Sequence, residues 1–134
     1  MTTLTDEGAL NLLLMEVGQA TNAGALMLRL FANDIVPGRD TALSDFVAAS
    51  GAIEDAINIS RGWRIRVNDV PMLEHDAVKF TFTRPAGKVH GYYMTRGTLL
   101  TRCKRFDEPF DILREGDSIE ITPRLSISDS KMKG

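Results

Sequence analysis

A chain of 134 residues with 43% hydrophobic and 25% charged side chains has enough apolar material for one core and too little length for a second. Those proportions exclude a long disordered or low-complexity chain, and apolar runs such as Leu12–Met15 are far too short to cross a bilayer. The pI of 5.7 is low for a dedicated nucleic-acid binder, and a single cysteine, Cys103, excludes an intrachain disulfide and suits a reducing cytosol.

Thr3 or Thr5 can cap a helix whose first turn holds Asp6 and Glu7, with Leu10, Leu13, Leu14 and Val17 following at helical spacing and Gly18 ending it. Leu12 and Met15 widen the apolar arc beyond one stripe, so they are candidates for contact with the body of the domain or with another chain. Residues 1–19 are therefore read as a helical arm or cover, and residues 20–134 as one β domain. No basic leader precedes the apolar run, so export by a signal peptide is not expected.

After a turn at Thr21-Asn22-Ala23-Gly24, Ala25–Phe31 alternates Leu26, Leu28 and Leu30 against Met27, Arg29 and Phe31, which predicts a strand. A loop follows, marked by Asn33-Asp34 and Pro37-Gly38-Arg39-Asp40, and Thr41–Val47 has the composition of one short helical turn. Strands are then predicted over Ala56–Ser60, Trp63–Val67, Ala77–Thr83, Lys88–Thr95, Thr98–Phe106, Phe110–Leu113 and Ser118–Ile127, the last bent at Pro123. Many short strands with turn residues between them predict a mainly β fold, an antiparallel sandwich of jelly-roll type.

The stretch Ala77–Phe106 combines alternation, aromatics and seven basic residues. Val78, Phe80 and Phe82 share the face expected in the core. Arg96-Gly97 is a two-residue link for a hairpin. On its second arm, alternation sets Leu100, Arg102, Lys104 and Phe106 on one face and Leu99, Thr101, Cys103 and Arg105 on the other. Charge is uneven along the chain. Residues 1–60 carry two basic and eight acidic side chains, residues 61–105 ten and three, and residues 106–134 four and seven. Such polarity neutralises itself within a fold or between subunits, or marks an electropositive face.

Chemistry-bearing patterns are sparse. There is no G-x-S-x-G, Walker, G-x-G-x-x-G or H-E-x-x-H sequence. His75 stands between Glu74 and Asp76, but neighbours in an extended segment point to opposite faces, so the three are not expected to converge on a metal. Neither a cofactor nor a metal is implied, and the chain does not read as an enzyme. Arg64 and Arg66 beside Trp63, and Arg102 and Lys104 beside Tyr92 and Tyr93, mix cations with rings as single-strand binders do. The acidic pI and the expected burial of Trp63, Ile65 and Val67 on one strand face argue against nucleic acid. The residues expected to meet a partner are thus Arg64, Arg66, Arg102 and Lys104, with Leu12 and Met15 on the arm.

Taken in order, Leu28–Asp34, Asp45-Phe46, Gly62-Trp63, Phe80–Thr83, Val89–Tyr93, Arg105-Phe106 with Pro109, and Gly116–Pro123 resemble a family of small phage-encoded, virion-associated β-sandwich proteins, over residues 26–127. The chain departs from that pattern between Gly51 and Ser60, where an aromatic after the glycine and an apolar stretch are replaced by the more polar Ala52–Asn58. The resemblance implies a virion protein made in the host cytoplasm, a capsid cement or decoration protein. Its partners would be the major capsid protein or other virion subunits, and its own copies in a homo-oligomer, a trimer being favoured. A head-tail connector or tail component is the alternative within that setting. A nucleic-acid- or glycan-binding β module is the alternative outside it.

Overall fold

The computed structural model describes residues 10, 12–14, 16, 25–68 and 70–126. Leu10, Leu12–Leu14 and Glu16 are helical, and the side chain of Leu13 is fully buried in the core. The arm thus packs on the domain through this residue. Met15, Val17 and the predicted cap lie outside the described residues.

Among the described residues nine strands follow: β1 (Leu26–Phe31), β2 (Ala56–Asn58), β3 (Trp63–Asn68), β4 (Val70–His75), β5 (Val78–Thr81), β6 (Gly87–Arg96), β7 (Leu99–Ile112), β8 (Ser118–Ile121) and β9 (Arg124–Ser126). They form three antiparallel sheets ordered β2-β1-β6-β7, β3-β4-β9 and β5-β8. The fold is mainly β, as the alternation predicts.

In the largest sheet, Leu26, Leu28 and Leu30 of β1 stand in register with Arg96, Met94 and Tyr92 of β6. The three leucines and Met94 are buried with Leu73, Phe80, Ile119 and Leu125 from the other two sheets and with Phe82 just past β5, so the core lies where all three sheets meet. On the opposite face Phe31 and Tyr93 both pack on Phe46, with ring centroids 4.9 and 4.5 Å apart. Phe46 follows the 3-10 turn Leu43–Asp45, within the segment predicted as a helical turn. Gly91 faces this cluster. A Cβ there would overlap both the Lys104 carbonyl oxygen and the Phe31 ring, so only glycine allows β6 and β7 to close over Phe31.

Several boundaries differ from the expectation. Val70–His75, outside every predicted strand, is a strand that pairs all along β3, so the segment folds back as a hairpin. Thr98–Phe106 and Phe110–Leu113 are one long strand, β7, whose pairing with β6 is irregular between Val89 and Gly91 and between Met94 and Thr95. The second irregularity inserts Thr101 between Leu100, which faces Thr95, and Arg102, which faces Met94. Leu100 is therefore out of phase with Arg102 rather than on its face. Ser118–Ile127 divides at Thr122-Pro123 into β8 and β9, which join different sheets. Ile65, expected in the core, is exposed, and Trp63 is half-buried with its Nε1 donating to the Ile59 carbonyl.

Candidate functional site

Strand β7 places Arg102 and Lys104 opposite Met94 and Tyr92, and the two cations have different fates. Arg102, expected on the wet face, is turned inward and its side chain is only 11% exposed. Its Nε and Nη2 donate to the two carboxylate oxygens of Glu16 at 2.5 and 2.9 Å, and its Nη1 donates to the Ser126 carbonyl at 3.0 Å. This forked geometry suits a guanidinium on a carboxylate, and it ties the helical segment, β7 and β9 together. Lys104 is exposed and has no ion pair or side-chain hydrogen bond among the described residues.

Arg64 and Arg66 lie on β3, outside the core, and both are ion-paired across the β3–β4 hairpin. Arg64 meets Asp76 at 2.6 Å and Arg66 meets Glu74 at 3.0 Å. Glu74 also accepts from Arg124 Nε at 2.7 Å, which is the chief reason its carboxyl is held below the usual range. Burial opposes that shift, while the charges of Arg66, Arg124 and Arg64 reinforce it. Arg64, Arg66, Lys88, Arg102 and Arg105 of the electropositive segment are thus ion-paired to their own neighbours. Leu12 is exposed on the helical segment, and Met15 lies outside the described residues.

A groove of about 690 Å³ runs beside β7. It is lined by the loop at Pro37–Thr41, by β7 from Leu100 to Lys104, and by Thr122, Arg124 and Leu125 around the start of β9. Among the described residues four cations, Arg39, Arg102, Lys104 and Arg124, line it, and no carboxylate does. Met72, Met94, Leu100 and Leu125 give it an apolar part. Strand β7 is the outer strand of its sheet, and at Leu100 and Cys103 no backbone hydrogen bond to a further strand is formed among the described residues. The groove therefore offers main-chain donors and acceptors, positive charge and apolar surface together.

The other polar clusters are accounted for locally. His75 is buried, its Nδ1 bonded to the Asp76 carbonyl at 2.7 Å and its ring edge-on to Trp63, while Glu74 and Asp76 go to arginines. Among the described residues no group of three His, Cys, Asp or Glu side chains is placed to hold a metal ion. Burial pushes the half-buried Cys103 thiol up, away from the thiolate that a nucleophile needs. His90 is buried, with Nδ1 4.0 Å from Asp34 Oδ1 and without a hydrogen bond among the described residues; Arg105 pairs with the same carboxylate.

Sequence reasoning found Lys104 but missed Arg39, Arg124 and the carboxylate of Glu16. Arg39 was visible as the charge in the Pro37-Gly38-Arg39-Asp40 turn, which had to be exposed. Nothing local signals the Glu16–Arg102 pair, because its members are 86 residues apart. Comparison with family models, with curated proteins and with solved structures gave no match.

Proposed function

We propose that this chain is a structural protein of a phage virion, a cement or decoration protein that joins shell subunits through protein–protein contacts. The observation that carries the reading is the edge of β7, which is open among the described residues. Fourteen residues long, this strand lies at the end of its sheet and is flanked by exposed Leu99, Phe110 and Leu113. Long open edges are a liability in a free monomer and an asset in an assembly. The motifs shared with the virion-associated family support it from another side, since their residues do structural jobs. Phe80 and Phe82 fill the core, Trp63 packs against it, and Gly91 admits the Phe31 ring. Asp117 holds the turn at Gly116 by accepting from the Leu113 and Arg114 N–H groups. On this reading the three sheets are the layers of a β-sandwich of jelly-roll type, and the protein works as a homo-oligomer, a trimer by preference, against the major capsid protein.

The test is quantitative mass spectrometry of purified particles. Hundreds of copies per particle are expected for a cement protein. About a dozen or fewer would move the chain to the head-tail connector or tail, and its absence from particles would overturn the virion reading.

A further inference from the structure

We infer that the groove beside β7 receives an extended, carboxylate-bearing segment of a neighbouring protein subunit, added to β7 as a further strand. This names the partner chemistry of the assembly site and rests on the assembly reading for the identity of the neighbour. Three features of the groove meet in one ligand. The main chain of β7 at Leu100 and Cys103 is, among the described residues, open to a strand on its outer side, which selects an extended peptide. Of the four lining cations, Arg102 is held by Glu16 and Arg124 by Glu74, whereas Arg39 and Lys104 have no carboxylate partner among the described residues. Two positive charges thus await acceptors in a site without acidic lining among the described residues. The apolar part of the groove, formed by Met72, Met94, Leu100 and Leu125, takes the other side chains. Because side chains alternate along a strand, a segment with acidic and apolar residues in alternation presents its acidic set to the face that carries Lys104 and its apolar set to the opposite face, where Leu100 lies out of phase with Arg102.

Two other occupants fit worse. A second copy of β7 in antiparallel pairing over Arg102–Arg105 would set cations against cations, which is unfavourable for directly opposed residues. A nucleic-acid strand would satisfy Arg39 and Lys104 but would leave the open main chain unpaired and cover the apolar lining with sugar and phosphate.

The experiment measures fluorescence anisotropy of a labelled peptide of alternating aspartate and valine with the full-length protein. Saturable binding is expected, weakened by salt and by about tenfold in the exposed-site variants Lys104→Glu and Arg39→Glu. The same peptide N-methylated at alternate residues should not bind, because it lacks the donors that a strand edge needs. Lack of binding by the unmodified peptide overturns the inference. So does equal binding of the N-methylated peptide or of a lysine–valine peptide, and so does displacement by single-stranded oligothymidylate with no dependence on peptide backbone. Circular dichroism of each variant establishes that it is folded. A failure here leaves the particle composition untouched, and absence from particles leaves peptide binding untouched, so the two readings fall separately.

Discussion

Replacing Arg102 by methionine tests whether this residue is an internal clamp or a free contact. The substitution keeps most of the apolar stem and removes the guanidinium, so Glu16 loses both of its charge-assisted hydrogen bonds and the Ser126 carbonyl loses one. Removing one partner of a fully buried pair costs about 3–5 kcal/mol. Here the side chains keep 11% and 22% of their exposure, so water reaches the abandoned carboxylate, and about 2–3 kcal/mol is the appropriate expectation. With a urea slope of about 1.5–2 kcal/mol/M, the unfolding midpoint should fall by roughly 1–2 M. Glu16→Gln alone should cost about 1–2 kcal/mol, and the double variant should show a coupling of about 1–2 kcal/mol. Lys104→Met, at an exposed site on the same strand, should stay within about 0.5 kcal/mol of the parent protein. Additive single effects, or an Arg102→Met midpoint no lower than that of Lys104→Met, would refute the clamp.

The Gly91→Ala variant forces a Cβ into the Lys104 carbonyl and the Phe31 ring. The carbonyl belongs to the β6–β7 ladder and cannot retreat cheaply, so a loss of about 3 kcal/mol or more is expected in thermal unfolding, and an unchanged melting temperature would show that the strands do not approach so closely. Acid stability should depend on Asp117, whose carboxyl is held below its usual range chiefly by the Leu113 N–H and next by the Arg114 N–H. A carboxyl with a folded-state pKa below its unfolded one stabilises the fold above the unfolded value, about 3.9, and that contribution disappears as pH falls through the folded value. Asp117→Asn should therefore lower stability near neutral pH and flatten the acid limb. Urea midpoints across a pH series check this, and a constant gap between the two proteins from about pH 2 to pH 6 would contradict it.

Much of the strand content was legible because the signal for a strand is local. Leu26, Leu28 and Leu30 alternate with Met27, Arg29 and Phe31, and one face of a pleated strand is dry, so β1 and its leucine face could be read directly. Phe80 and Phe82 are buried for the same reason. A two-residue hairpin link was likewise a matter of adjacent residues, but it falls one residue later than the expected Arg96-Gly97: Arg96 pairs with Leu99, and Gly97-Thr98 makes the turn with Gly97 at a φ of 62°. Strand β4 was hidden by Pro71 and by the charged Glu74-His75-Asp76 run, both of which normally oppose a strand. Pairing with β3 on one side and β9 on the other outweighs that local preference.

The candidate site was half legible. Lys104 was identified by alternation, but the same alternation put Arg102 beside it on the wet face, because sequence periodicity cannot tell which side of a strand another element will cover. The helical segment brings Glu16 to Arg102, and β9 brings the Ser126 carbonyl, so a side chain that looked like part of a cationic patch is internal. Composition and alternation by themselves determined an antiparallel β protein with one core, since burial and pleating act on residues near one another in the chain. Which strand is left at the edge of its sheet, which charges are neutralised and where a groove opens were decided by the tertiary structure, because these depend on neighbours that only the packing of distant segments supplies.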